Sequence, residues 1–168
     1  MKLVFLFLVS IVFLSGCSKK EEATPVDTGV KATGYIRGYI NSVNWYSNSI
    51  TTSKSGVTRE IKATQNLSNN QNYSSAILEF KISVNQPGNF GIGEDEPGYV
   101  YFVRAYYTLI GKNGNSDLKY TAYYEDTSLL TIDEYDSDHL YGSFNFIART
   151  ADTLNTIQFT GGSIQIDY

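Results

Sequence analysis

Residues 76–84 alternate strictly. Ala76, Leu78, Phe80, Ile82 and Val84 fall on one side of an extended strand, and Glu79, Lys81 and Ser83 on the other, with Ile77. A period of two sends one set into a core and leaves the other in water. Residues 57–65 repeat the pattern more faintly, with Val57, Ile61 and Ala63 set against Thr58, Glu60, Lys62 and Thr64. Residues 99–109 are apolar or aromatic on both sides apart from Arg104, as a central strand would be. Residues 118–125, 129–135, 140–150 and 156–168 supply further strands. Turn chemistry separates these runs at Asn85-Gln86-Pro87-Gly88, at Gly111-Lys112-Asn113-Gly114-Asn115 and at Ser137-Asp138-His139. Glycine and asparagine there supply positive φ, and proline presets a turn. No stretch holds a helical spacing. About nine short strands with such turns predict an all-β antiparallel sandwich, with a lipocalin-like closed barrel as the alternative.

Parity adds one local expectation. Ile157 and Phe159 are odd-numbered, whereas Ile164 and Ile166 are even-numbered. A regular strand would send the two pairs to opposite faces. One extra residue at Gly161-Gly162 restores them to one face, so a β-bulge is predicted there.

The amino terminus has a different pattern. Lys2 precedes an apolar run, residues 3–14, broken only by Ser10. As a helix it would span roughly 18 Å, too little for a hydrocarbon core about 30 Å thick. Its length and flanks fit a cleaved signal peptide over residues 1–16. The quartet Leu14-Ser15-Gly16-Cys17 resembles a lipobox, which implies lipidation of Cys17 and cleavage before it. Cys17 is the only cysteine, so lipidation leaves no thiol for a disulfide, a metal or catalysis. Beside it, Lys20, Glu21 and Glu22 resemble the surface-export signal of Bacteroidota lipoproteins, which implies an outer-membrane, outward-facing address. Residues 17–32 read as the lipidated end and a flexible tether; about 15 residues of coil span roughly 20–25 Å. Residues 33–168 then form a single all-β domain.

Cleavage would leave 152 residues and, with Lys2 gone, move the formal charge from −4 to −5. That length suits one domain with a real core. The acidic balance argues against nucleic acid, which needs clustered Lys and Arg.

Familiar catalytic constellations are short of residues. His139 is the only histidine, lies in a predicted polar turn beside Asp138, and reads as solvated. One histidine and a lipidated cysteine do not make a zinc site. The acidic runs Glu94-Asp95-Glu96 and Asp133-Glu134-Tyr135-Asp136-Ser137-Asp138 offer hard oxygen ligands for Ca²⁺. The second lacks the spacing of an EF-hand, and Glu134, Asp136 and Asp138 on one face of a strand also describe a solvated edge. No cofactor is expected. Glycoside hydrolysis needs two facing carboxyl groups, and nothing selects a pair among seventeen acids.

Tyrosine is the unusual residue. Fourteen are present against one tryptophan, and Tyr106, Tyr107, Tyr120, Tyr123, Tyr124, Tyr135 and Tyr141 concentrate in the second half. Exposed tyrosine gives stiff contact area with a polar tip, so Tyr106, Tyr107, Tyr123 and Tyr124 are the candidate binding face. Adjacent tyrosines in a strand must point opposite ways, one of them inward. Tyrosine is also simply a good strand former. Trp45 is expected in the core. Asp152-Thr153-Leu154 resembles a short acceptor pattern for O-glycosylation, with Thr153 as the modified residue.

Taken in order, several short motifs resemble a family of small Bacteroidota lipoproteins classed as a domain of unknown function. They are Asn41-Ser42-Val43-Asn44-Trp45, Gly88-Asn89-Phe90-Gly91-Ile92-Gly93, residues 129–136, Gly142-Ser143-Phe144-Asn145-Phe146 and Phe159-Thr160-Gly161-Gly162-Ser163. Ser42 stands where that family usually has glycine. The resemblance implies an all-β fold and an envelope location, and supplies no catalytic residues. The expected function is a non-enzymatic binding module, surface-exposed or periplasm-facing, attached to the outer membrane by its lipid and with a glycan, peptide or envelope-protein partner. The alternatives are a hydrolase of an envelope or nutrient polymer and a lipocalin-like carrier of a small ligand.

Overall fold

The alternation at residues 76–84 becomes the centre of β5 (Tyr73–Ile82) in a computed structural model that describes residues 29–93 and 103–168. Ala76, Leu78, Phe80 and Ile82 are fully buried, while Ser75, Ile77, Glu79 and Lys81 face outward. The signal peptide, Cys17, Lys20, Glu21, Glu22, most of the tether, Glu94-Asp95-Glu96 and the start of the strand expected at 99–109 lie outside the described residues.

β5 lies between β4 (Thr58–Asn66) and β7 (Val103–Gly111), both antiparallel to it. Inward pairs alternate large and small: Phe80 faces Ile61 on one side and Ala105 on the other. Outward, Glu60 lies opposite Lys81 and Lys62 opposite Glu79. The Lys81 ammonium is 2.7 Å from Glu60, and Lys62 is 3.7 Å from Glu79. The hydrogen bond from Lys81 holds the Glu60 carboxyl below its ordinary pKa. Cross-strand charges of this kind favour the register and add little stability at an exposed surface.

The other strands are β1 (Val30–Ile40), β2 (Val43–Ser47), β3 (Ser49–Ser55), β6 (Gly88–Gly91), β8 (Leu118–Ala122), β9 (Leu129–Tyr135), β10 (His139–Thr150) and β11 (Thr156–Asp167). The fold is all-β and antiparallel, as the alternation predicts. Among the described residues it has eleven strands rather than about nine, and hydrogen bonds join all of them into one sheet. The order runs β11-β1-β3-β4-β5-β7-β8-β10-β9-β6, β2 pairs with β1, and β10 also pairs with β11, so the ladder returns on itself. It is not a plain closed barrel: β9 and β6 continue past β10, and β2 lies off the main run. The folded chain begins by Val30. Residues 30–32, expected in the tether, pair with β3, and Ala32 is buried.

The interior is filled with rings. Phe80 of β5 meets Phe144 and Phe146 of β10 with centroids 5.0 and 6.1 Å apart, although those strands do not pair. Phe159 of β11 stacks on Phe146 at 4.6 Å and meets Tyr107 at 5.5 Å and Trp45 at 6.3 Å, both edge-on. Trp45 is buried as expected. Edge-to-face and offset contacts of this sort add to the area that each ring buries.

The predicted bulge is present. Arg37 pairs with Ser163 but Tyr39 with Thr160, and Phe144 pairs with Gly162 but Phe146 with Phe159. Both neighbours of β11 therefore see one extra residue. Gly161 takes it up with φ of +56°, a conformation that glycine adopts without a Cβ clash, and its N–H donates to Asn145 Oδ1 at 2.8 Å. Beyond the bulge Ile164 and Ile166 join Ile157 and Phe159 in the core. Gly162 faces inward, where a Cβ would stand 2.5–2.6 Å from three atoms of the Phe144 ring.

Candidate functional site

The four tyrosines proposed as one face do not form one. Tyr107 points inward, is 7% exposed, and lies against Tyr120 and Phe159. Burial pushes its hydroxyl pKa up to about 12. It belongs to the core, because its position in β7 shares the parity of Val103 and Ala105. Tyr106 faces outward beneath Lys119, whose ammonium is 4.4 Å from the ring centroid. Tyr123 follows the end of β8 and carries the Arg149 guanidinium 3.8 Å from its ring. Tyr124 is 59% exposed and packs along Gly91 and Gly93.

The second acidic run makes a turn. β9 ends at Tyr135, so Glu134, Asp136 and Asp138 do not share a strand face. The Asp136 carboxylate accepts the backbone N–H groups of Asp138 and His139, each at 2.7 Å, and lies 3.3 Å from His139 Nδ1. Those backbone donors hold its pKa below the ordinary value, and the bond to Asp136 raises that of His139. His139 opens β10 rather than lying within the turn. Glu134, Asp136 and His139 bring one ligand atom each within 4.8 Å of one another at an exposed site. Asp136 is already committed to closing the β9–β10 turn.

Thr153 sits in the exposed turn between β10 and β11 with φ of +61°, a left-handed conformation that is rare for a β-branched residue. Asp152 shapes this turn by accepting the Thr150 hydroxyl and the Leu154 N–H.

A groove lies elsewhere, on the hairpin of β1 and β2. In β1, Tyr35, Arg37 and Tyr39 occupy alternate positions and share the outward face, while Ile36 and Gly38 point inward. In β2, Asn44 and Tyr46 face outward and Trp45 and Ser47 inward. The register places Tyr46 opposite Arg37 and Asn44 opposite Tyr39. On the other flank, β11 places Gln165 opposite Tyr35, Ser163 opposite Arg37 and the Gly161 bulge beside Tyr39. Tyr35, Arg37, Tyr39, Asn44 and Tyr46, with Gly38 and Gly161, line an open groove of about 700 Å³, within the range of roughly 300–1,000 Å³ usual for small-molecule sites. Tyr39 and Tyr46 are 50% and 46% exposed. The Tyr35 and Tyr46 rings lie 6.3 Å apart at 24°, nearly parallel. The Arg37 guanidinium lies over Tyr35, 5.2 Å from its centroid.

Two features hold the hairpin in place. Asn41 and Ser42 both have positive φ, +48° and +69°, as a two-residue type I′ turn requires. Ser47, buried, donates its hydroxyl to the Thr64 carbonyl at 2.6 Å and accepts the Ser49 N–H at 3.1 Å, which ties β2 to β4. The sequence reading missed this groove. Its signal was the outward tyrosine at alternate positions, with Tyr35-x-Arg37-x-Tyr39 facing Asn44-x-Tyr46. No family model, curated protein or solved structure matches the chain.

Proposed function

We propose that this protein is a non-enzymatic binding module, held at the outer membrane by lipid on Cys17, facing outward, with the β1–β2 groove as its ligand face. The observation that carries the reading is the groove itself: exposed Tyr39 and Tyr46 flank Arg37 and Asn44 on the β1–β2 hairpin, whose β1 strand is also paired with β11. Tyrosine gives wide contact area at low cost in side-chain entropy, and the strands preorganise it. The described residues that line the groove include no carboxyl group, so the pair that glycoside hydrolysis needs is missing there. The rings of Phe80, Phe144, Phe146 and Phe159 occupy the interior that a lipocalin-like carrier would keep open. The expected partners are a glycan, a peptide or an envelope protein.

The anchor and the groove are tested separately. Radiolabelled palmitate should enter the wild-type protein and not Cys17→Ala; equal labelling would exclude lipidation at this residue. Protease added to intact cells should digest the domain, and protection would place it facing the periplasm. The lipidated protein, purified in a polyoxyethylene detergent, should retain ligands from a glycan array or an envelope extract. Tyr39→Ala with Tyr46→Ala should abolish that retention while melting stays cooperative. Retention unaffected by the double variant would move the binding face elsewhere.

A further inference from the structure

We infer that the β1–β2 groove takes an anionic saccharide, its acidic group received by Arg37 and its sugar rings laid against Tyr46 and Tyr39. This rests on the reading of the groove as a ligand face and adds the chemistry of the ligand.

Charge selects the anion. The chain is acidic, with a formal charge of −4, yet the charged side chain lining the groove is a cation, Arg37. Its cross-strand neighbours, Tyr46 on β2 and Ser163 on β11, carry no charge. The next outward pairs, Tyr35 with Gln165 and Tyr39 with Thr160, are also neutral. An anion entering the groove therefore meets a local positive charge on a protein of net negative charge, which favours its encounter there. The guanidinium lies over the Tyr35 ring. From this position it can turn its in-plane N–H donors to the groove, where a carboxylate or sulfate can be bound through two parallel hydrogen bonds.

The rest of the lining selects a sugar. Among the described residues it consists of tyrosines, one asparagine and two glycines besides the arginine, with no aliphatic side chain to anchor an apolar peptide residue. A pyranose offers C–H faces for the exposed tyrosine rings and a rim of hydroxyls. The Asn44 amide and the tyrosine hydroxyls can donate to and accept from that rim. The groove is open to solvent along the β1–β2 ladder, which suits a chain laid across it.

The test is titration calorimetry of the lipidated protein in a polyoxyethylene detergent, which introduces no sugar headgroup. The probes are a hexuronic-acid hexasaccharide, a sulfated hexasaccharide, and a neutral hexasaccharide of the same linkage as the first. At least one anionic probe should bind ten-fold or more tighter than the neutral one, and the two anionic arms identify the acid. Arg37→Gln should remove that preference, Tyr46→Ala should weaken every arm, and raising salt should weaken the anionic arms alone. Equal affinity for the neutral probe, lost in Tyr46→Ala, would overturn the anionic ligand and leave the binding module standing. No heat from any of the three would overturn the saccharide as ligand. Whether the binding module falls with it is decided by the envelope-extract retention of wild type against the Tyr39 and Tyr46 variant.

Discussion

Two parts of this molecule are rich in tyrosine, and they use it in opposite ways. On β7 and β8, Tyr107 and Tyr120 lie directly opposite each other and both point inward, each 7% exposed. Their neighbour Tyr106 points outward and is covered by Lys119. On β1 the tyrosines are four positions apart, so Tyr35 and Tyr39 share the outward face, and Tyr46 of β2 joins them across the ladder. Strand parity, and not local abundance, decides which tyrosines present a surface. Adjacent tyrosines divide between core and solvent, whereas those an even number of positions apart accumulate on one side.

The sharpest break between the two regions is thermodynamic. Tyr107→Ala removes a ring packed on Phe159 and Tyr120, and removal of a buried aromatic costs about 3–5 kcal/mol. Tyr46→Ala removes a half-exposed ring and should cost about 1 kcal/mol or less. Chemical denaturation of the two variants should therefore separate them widely, with binding lost in the second. Comparable destabilisation would mean that the hairpin tyrosines also serve the core.

A second test strikes the bulge that joins the groove to the core. Gly162→Ala drives a methyl group into the Phe144 ring and should destabilise the fold by about 1–3 kcal/mol. Gly161→Ala faces solvent and meets only the Tyr39 ring at 3.6 Å, so its cost is the positive φ, about 1 kcal/mol. The order of the two midpoints checks which glycine is needed for space and which for conformation.

Much of this was legible along the chain and some was not, for physical reasons. β5 could be read because its inward residues are large and its outward ones charged. The bulge could be read from the change of parity between Phe159 and Ile164. β1 was hidden because its pattern is inverted. Ala32, Gly34 and Gly38 are small where the strand faces the core or a close neighbour, and the tyrosines lie outside. A hydrophobicity pattern therefore shows only a weak inward stripe, carried by Ile36, on the strand that carries the groove. Asp136 appeared free to bind a cation, but its carboxylate closes a turn through backbone donors that side-chain spacing does not reveal. Pairing of β1 with β11, which the closed ladder requires, joins strands more than a hundred residues apart, so their contact depends on the whole fold.

Titration gives a smaller contrast. Tyr107 has its pKa raised to about 12 by burial, against about 10 in an unfolded chain. Its folded state favours the protonated phenol, so the stability it contributes is fully present below pH 10. That contribution is lost as pH rises from 10 through about 12, where the unfolded chain has released the proton more readily. Denaturation midpoints should fall across this window in the wild type and fall less in Tyr107→Phe. An equal decline in both would assign the alkaline loss to other groups, such as Lys81 leaving Glu60.

The mildest change sharpens the comparison from the groove's own side. Ser42 holds a φ of +69° at the second position of the type I′ turn, where glycine carries no Cβ penalty. Ser42→Gly relieves that strain at the cost of a more flexible unfolded chain, so the net gain should be about 0.5 kcal/mol. The gain should be local. Ser42 lies in the loop joining Ile40 to Val43, which pair directly, and among the described residues β1 is the one strand in a ladder with β2. Hydrogen exchange should slow at β2 amides and remain unchanged at β7 and β8, with a modest rise in ligand affinity as the groove is better preorganised. Slowing throughout the sheet would mean that the hairpin and the β7–β8 core open together. The two tyrosine regions would then be one cooperative unit, not a rigid interior with a ligand-bearing hairpin at its edge.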